Sequence, residues 1–135
     1  MSKNNLSPEL YRVIDANLNR LKEGIRVVED LQRYLYNNKD ISQKLKNLRH
    51  LSVYEDIDAL LKHRDSINDV LRPTIDDELN RTDLKSVVIA NFKRAQESSR
   101  VLEELFKLHS SKESEKFKHI RYELYDLEKN ILTNS

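Results

Sequence analysis

Apolar residues recur along most of this chain at the spacing that one face of a helix requires. The first series follows Ser7-Pro8-Glu9, which supplies a candidate N-cap and a proline at the favoured first helical position. At about 100° per residue the series stays on one face as far as Tyr36. We predict a long amphipathic helix, a turn over residues 37–40, and Asp40 as the next cap. The stripe consists of Ile14, Leu18, Leu21, Ile25, Val28, Leu31 and Leu35.

The second helical pattern changes its buried face partway along. It begins with Ile41, Leu45 and Leu48 on one side, and its later apolar residues fall on another side. Either a kink near residues 50–52 or a second buried surface explains this shift, and the second surface would also suit a homodimer. The displaced residues are Val53, Ile57, Leu60 and Leu61.

A polar connection over residues 64–81 follows this second pattern. It holds Pro73 and the acidic run Asp76-Asp77-Glu78, so we predict irregular structure with a short helix over residues 66–71. An irregular segment of this length in a small domain is usually functional or disordered.

Two more helical patterns complete the chain. The third helix starts with Thr82 or Asp83 as its cap, and the fourth follows the polar pair Ser110-Ser111. With 135 residues, one glycine and two prolines, we predict a single all-α domain, a bundle of four long helices. The two stripes are Val88, Phe92, Ala95, Leu102 and Leu105, then Phe117, Ile120, Leu124, Leu127 and Ile131.

The chain contains an internal duplication. Residues 16–31 and 90–105, which are 74 positions apart, are identical at eight of sixteen positions. Residues 44–50 resemble residues 116–122 at an offset of 72. We therefore predict two helix pairs related by a pseudo-twofold axis, and the repeat units cover about residues 8–63 and 82–133.

Five polar positions are kept in both copies, although core packing requires only apolar ones. One explanation is helix-stabilising ion pairs three residues apart, such as Arg20 with Glu23 and Arg26 with Glu29. Asparagine is unfavourable inside helices, so a half-buried asparagine needs a partner, which a facing helix or a ligand could supply. The alternative is a shared small-molecule site. The pairs are Asn17/Asn91, Arg20/Arg94, Glu23/Glu97, Arg26/Arg100 and Glu29/Glu103.

The amino-acid composition excludes several classes of function and of binding site. Lysine and arginine number 24 against 23 acidic residues, so the net charge of +1 argues against nucleic-acid binding. The absence of cysteine and of a signal-like or membrane-spanning segment favours a cytoplasmic protein without membrane contact. The single glycine excludes glycine-rich phosphate loops. The four histidines lack the spacing of a metal site.

The connection contributes one more candidate site. Asp65 and Asp69 stand one helical turn apart, where two carboxylates can hold Mg²⁺ through water while Arg64 meets a phosphate. A solvated charge run is the alternative explanation.

Four motifs together resemble one family. They are the frame Asp15-Ala16-Asn17-x-x-Arg20-x-x-Glu23-Gly24-x-Arg26-Val27-x-Glu29, the triplet Leu48-Arg49-His50, Arg64-Asp65 with Asp69-Val70, and the second copy from Ala90 to Glu104. Over about residues 10–130 the chain resembles the small helical hydroxymethylpyrimidine phosphate kinases of thiamine biosynthesis. That domain also occurs fused ahead of thiamine phosphate synthase. The chain departs from the family pattern at Leu71, where glycine is usual, and at Ser98-Ser99, where small apolar residues are usual.

The resemblance implies transfer of the γ-phosphoryl group of ATP to hydroxymethylpyrimidine phosphate, with Mg²⁺ as cofactor. The acceptor oxygen is already charged, so the site must supply cations rather than a base. A non-catalytic pyrimidine-phosphate-binding or scaffold partner of the synthase is the alternative. Synthase chemistry itself is not expected, because the synthase barrel and its phosphate-binding glycines are missing. The implied roles are catalytic for Arg20, Arg94 and Arg64, substrate-binding for Asn17, Asn91, Glu23, Glu97, Arg26, Arg100 and His50, and Mg²⁺-binding for Asp65 and Asp69.

Overall fold

Five α-helices and one π-helical turn make up the part of the chain that the structure describes, residues 6–74 and 80–134. This computed structural model confirms the all-α prediction. The acidic run at residues 76–78 lies outside the described residues. The elements are α1 (Pro8–Asp30), the π-helical turn (Leu31–Leu35), α2 (Lys39–Leu51), α3 (Ile57–His63), α4 (Leu84–Phe106) and α5 (Ser111–Thr133).

Side-chain caps set the starts of the helices. Ser7 accepts a hydrogen bond from the Leu10 amide, as predicted for α1. Of the two candidates for α4, Asp83 is the cap, and its carboxylate and the Ser86 hydroxyl form a reciprocal capping box. The prediction for α2 was wrong, because the cap is Asn38, whose side chain accepts from the Ile41 amide. Asp40 lies in the first turn of α2, beside the positive helix end.

The first helix ends earlier than predicted. It passes at Asp30 into the π-helical turn, and Asn37 then adopts a left-handed conformation with φ of 53°. The change of repeat offset from 74 to 72 means that the first copy holds two more residues here than the second. A wider helical turn accommodates such extra residues. Leu35, predicted to be part of the core stripe, is therefore exposed.

A break divides the second predicted helix into two. Helix α2 ends at Leu51, and α3 begins at Ile57 after the Asp56 cap. Leu60 of α3 is buried, whereas Val53, Ile57 and Leu61 are exposed. The displaced stripe thus reflects a helix end rather than a kink or a fully buried second surface.

The prediction of a short helix over residues 66–71 was also wrong. These residues form successive turns, with the Asp69 amide donating to the Ser66 carbonyl and the Arg72 amide to that of Asp69. The Asp65 carboxylate accepts from the amide of Asn68, a local bond that competes with helix formation.

Helices α1 and α4 form the centre of the core. Helix α5 packs on α4, while α2 and α3 pack on α1. A Cβ atom added at Gly24 would lie 2.8 Å from the Asn91 carbonyl oxygen and 3.4 Å from Ala95, so the two backbones approach closely there. Apart from the displaced residues of the second pattern, the predicted stripe residues are buried except Leu31, Leu105 and Ile131, which are partly buried, and Leu35, which is exposed.

One ion pair joins the two helices of each half, and the two ion pairs are equivalent. The Arg49 guanidinium of α2 donates to both oxygens of Glu29 in α1, at 2.6 and 3.1 Å. In the second half Arg121 of α5 donates to Glu103 of α4, at 2.9 and 3.2 Å. The partners are related by the offsets of 74 and 72, which agrees with the proposed duplication. None of the described helices has an apolar run long enough to cross a membrane.

Candidate active site

A groove of about 500 Å³ lies on the side of α1 and α4 that faces away from the core. We call it the arginine groove, because Arg20 of α1 and Arg94 of α4 both line it. Asn17 and Glu97 line it too, so four of the predicted site residues share one surface. Its other lining residues are Arg81, Ala90, Lys93, Ser98 and Val101.

The direction of the two helices explains this convergence. Gly24 lies against Asn91, and Asn17 shares the groove with Ser98, so α1 and α4 run in opposite directions. An antiparallel pair of duplicated helices brings equivalent residues near its middle together. Arg20 and Arg94 are equivalent and central, so they come from different helices to the same surface.

The charges of the groove are strongly one-sided. Arg20, Lys93 and Arg94 have no hydrogen bond or ion pair with any residue in the described ranges. Of the described lining residues, Glu97 is the one carboxylate, against four cationic side chains. In a chain with nearly equal numbers of acids and bases, an unneutralised cluster of this kind suits an anionic ligand.

Other repeated arginines are neutralised within the protein. Arg26 pairs with Asp30 at 3.3 Å, and not with Glu29 as the ion-pair explanation of the repeat required. Arg100 lies 3.5 Å from Glu103 and 2.9 Å from Glu104. The described residues likewise contain no ion pair between Arg20 and Glu23. The ion-pair explanation of the repeat therefore fails for Arg20 and Arg94.

The two repeated asparagines bond their own helices. The Asn17 side-chain amide donates to the Val13 carbonyl at 2.9 Å, and Asn91 donates to Val87 at 2.8 Å. The facing-helix alternative is thus wrong for both side chains. Because each amide nitrogen serves as donor, the carbonyl oxygen of Asn17 stays available as an acceptor beside the arginine groove. Asn91 does not line that groove.

The remaining substrate-binding candidates of the first half lie elsewhere. Glu23, Arg26 and His50 line a wide, open depression of about 530 Å³ between α1 and α2. Arg49 lines it as well, while its guanidinium is held by Glu29. Burial raises the pKa of Glu29, but the hydrogen bonds and charge of Arg49, with smaller contributions from Arg26 and Arg33, outweigh it and leave the pKa lowered.

Arg64 is held by an internal carboxylate. Its Nε and Nη2 donate to the buried Asp15 at 2.7 and 2.6 Å, and this hydrogen bonding raises the guanidinium pKa. The pair fastens the end of α3 to α1. Arg64 lines a small pocket with Asp15 and not the arginine groove, so its phosphate-binding role stays a prediction.

Asp65 and Asp69 are used in local turns. Asp65 accepts from the backbone and side-chain amides of Asn68, which lower its pKa, and Asp69 accepts from the Leu71 amide. Neither lines the arginine groove. Across the described ranges, no three histidine or acidic side chains gather as metal ligands would. Asp65 and Asp69 therefore do not fit the role of a pair of Mg²⁺ ligands at the arginine groove, and we assign them no part in the proposed reaction.

Comparison with known proteins identifies the family. Residues 12–130 match the ThiD2 family. The chain belongs to this family. Its relatives include the thiamine-phosphate synthases of Synechocystis sp. (strain ATCC 27184 / PCC 6803 / Kazusa), 38% identical over 91% of this chain, and Prochlorococcus marinus (strain AS9601), 35% identical over 93%. The synthase of Nostoc punctiforme is 36% identical over 96%.

The match covers only part of these relatives. The chain spans 36% of the length of the Synechocystis and Prochlorococcus proteins and 37% of the Nostoc protein. This agrees with the resemblance to a domain that occurs fused to thiamine phosphate synthase. None of the solved structures matches the chain.

The sequence analysis missed two cationic residues of the arginine groove. Lys93 corresponds to Asn19 in the first copy, and Arg81 lies in the connection, so neither is kept in both repeats. For Lys93 a signal existed, because it follows Ala90 by three residues and precedes Glu97 by four on the face of α4 that lines the groove. No such periodic signal exists for Arg81.

Proposed function

We propose that this chain is a phosphotransferase of thiamine biosynthesis that converts hydroxymethylpyrimidine phosphate to its diphosphate with ATP. Membership of the ThiD2 family and its relatives among thiamine-phosphate synthases support the pathway. The single observation that carries the reaction type is the arginine groove, which Arg20 and Arg94 both line without a hydrogen bond or ion pair to any described residue.

The arrangement suits a reaction between two anions. An oxygen of the pyrimidine's phosphate attacks the γ-phosphorus of ATP, the bond from that phosphorus to the β,γ-bridging oxygen breaks, and ADP leaves. The nucleophile is already ionised, so no general base is required. The main barrier is repulsion between the phosphates, and fixed cations lower it. Arg20, Arg94 and Lys93 supply three such charges from two helices.

Rigid positioning is the second contribution. Arg20 and Arg94 extend from the central helices, whose backbones meet at Gly24 and Asn91. Side chains on packed helices hold two substrates in line better than side chains on a loop. The asparagine oxygen of Asn17 accepts a hydrogen bond from the 4-amino group of the pyrimidine in this proposal, since its amide nitrogen is occupied by Val13.

The direct test is release of ADP when ATP, Mg²⁺ and hydroxymethylpyrimidine phosphate are mixed with the chain. Replacement of Arg94 by alanine should lower kcat/KM about 100-fold or more, because a charge that stabilises the transition state is lost. Arg20→Ala should act similarly, since the two residues are equivalent. Folding of each variant is checked by thermal unfolding, which should be unchanged because these arginines make no internal bond to a described residue.

Arg33→Ala is the matched control. Arg33 is exposed, lies over the Tyr34 ring at 4.9 Å and does not line the arginine groove, so its loss should leave ADP release unchanged. Equal activity of Arg94→Ala and the unaltered chain would remove the groove from the reaction. Binding of the pyrimidine phosphate without any ADP release would favour the non-catalytic alternative, and co-purification would then reveal association with a synthase.

A further inference from the structure

One cation of the arginine groove is not used by the proposed reaction. Arg81 lines the groove with three other cationic side chains, Arg20, Lys93 and Arg94. Those three extend from the packed helices α1 and α4, whereas Arg81 belongs to the non-helical residues that precede α4. Among the described lining residues, Arg81 is therefore the one cation that the helical core does not hold in place.

The backbone next to Arg81 is anchored to α4. The amides of Thr82 and Asp83 both donate to the Ser86 hydroxyl, each at 3.1 Å, and Asp83 caps the helix. This capping box fixes the point at which the connection meets α4. The side chain of Arg81 thus starts from a fixed position beside the groove, and it can change direction while the helices stay as they are.

The protein does not neutralise the guanidinium of Arg81. Its Nη1 donates to the carbonyl oxygen of the adjacent Asn80 at 2.9 Å, and this bond is exposed to solvent. No carboxylate within residues 6–74 and 80–134 forms an ion pair with it. Because a hydrogen bond to an anion is stronger than one to a neutral carbonyl, a phosphate in the groove would draw the guanidinium away from Asn80.

Helix stability does not explain a cation at this position. Arg81 precedes the Asp83 cap by two residues, at the end of α4 where the helix dipole is positive. That end favours anionic side chains, whereas cations are favoured at the opposite end. A phosphate bound in the groove would compensate, since it brings negative charge to Arg81.

We propose that Arg81 is a catalytic residue that turns from the Asn80 carbonyl onto an anion bound in the arginine groove. This inference rests on the proposed function, in which a phosphate oxygen of the pyrimidine phosphate bonds to the γ-phosphorus of ATP. The bond from that phosphorus to the β,γ-bridging oxygen breaks, and the bridging oxygen leaves on ADP with the electron pair. The guanidinium of Arg81 donates hydrogen bonds to this oxygen as its charge grows, and no proton is transferred.

The difference between fixed and movable cations predicts a division of roles. Arg20 and Arg94 extend from rigid helices before a ligand arrives, so they contribute to substrate binding as well as to the reaction. Arg81 first has to leave Asn80, and the charge that it meets is largest in the transition state. Loss of Arg81 should therefore lower kcat more than it raises KM.

A titration of the isotope-labelled chain with pyrophosphate, followed through the arginine side-chain Nε–H resonances, tests the contact directly. Arg81 should shift together with Arg20 and Arg94, with one dissociation constant. Arg72 is the internal control, because it is exposed in the same connection and does not line the groove, so its resonance should not shift. This reading does not depend on ADP release. An unshifted Arg81 resonance overturns the inference.

Kinetics of ADP release test the catalytic role. Arg81→Ala should lower kcat about 100-fold and raise KM for ATP less than about threefold. Arg81→Lys keeps the charge but not the planar fork, so it should regain part of the loss. Arg72→Ala, the matched control, should change neither constant. Both positions are exposed, so thermal unfolding of these variants should equal that of the unaltered chain.

The outcomes separate this inference from the proposed function. A normal kcat in Arg81→Ala, beside a strongly impaired Arg94→Ala, overturns the catalytic role of Arg81 alone and leaves the proposed function in place. Absence of ADP release from the unaltered chain overturns the proposed function and the catalytic role together.

Discussion

The two halves of this molecule share their charged framework and differ in their packing. Each half joins its helix pair by a glutamate on the central helix and an arginine on the partner helix, Glu29–Arg49 and Glu103–Arg121. Each half also contributes one arginine to the arginine groove. By contrast, Gly24 is matched by Ser98, and Gln32 by Phe106. The charged positions therefore mark what both copies require, and the packing positions mark where each copy has specialised.

The same residue types serve two purposes in this framework. Arg49 and Arg121 are mostly buried and their charge is neutralised inside the protein. Arg20 and Arg94 point away from the core and have no acidic partner in the described part of the chain. Position relative to the core, rather than residue type, separates a structural arginine from one available to a ligand.

Removal of the shared glutamates should produce the largest effect. Glu29→Ala and Glu103→Ala should each lower the free energy of unfolding by about 3 kcal/mol, because each leaves a mostly buried guanidinium without its carboxylate. Urea denaturation measures both changes. Similar losses would support equivalence of the halves. A loss below about 1 kcal/mol for either variant would contradict this structural role of the ion pair. The double variant Glu29→Ala/Arg49→Ala should lose less stability than the sum of the two single variants.

The unequal pair Gly24 and Ser98 should give an intermediate effect. Glycine to alanine inside a helix normally stabilises by about 1 kcal/mol. At position 24 the new Cβ would lie 2.8 Å from a backbone oxygen of α4, so Gly24→Ala should destabilise by about 2 kcal/mol instead. Ser98→Ala, the matched change in the other half, should stay within about 1 kcal/mol. Thermal unfolding distinguishes the two, and a stabilised Gly24→Ala chain would contradict the close approach.

Lowering the pH should produce the smallest change in the free energy of unfolding. Burial raises the pKa of Glu29 in the folded chain, but the hydrogen bonds and charge of Arg49, with smaller effects of Arg26 and Arg33, outweigh burial and leave the pKa below its ordinary value of 4.5. The stability from this pair is therefore present above pH 4.5 and is lost as the pH falls through the folded pKa. Urea denaturation at a series of acidic pH values should show this decline, and Glu29→Gln should reduce it. An identical decline in the variant would assign the acid sensitivity to other carboxylates.

Local periodicity in the sequence was sufficient for the helices and for most of the core. Stripes such as Ile14, Leu18 and Leu21 bury one face whatever the partner is, and caps such as Ser7 depend only on neighbours in the chain. The duplication was equally visible. It was sufficient to bring Arg20 and Arg94 into consideration, because no packing requirement accounts for a repeated exposed arginine.

Only the tertiary structure decided which acidic and basic side chains form ion pairs. Glu29 takes Arg49 rather than the nearby Arg26, and Arg64 takes Asp15 from 49 positions away. Such choices depend on distances between helices, which the period of a single helix does not contain. The same reason applies to the arginine groove. Two antiparallel helices create it, and no periodic pattern in the sequence places Arg81 there.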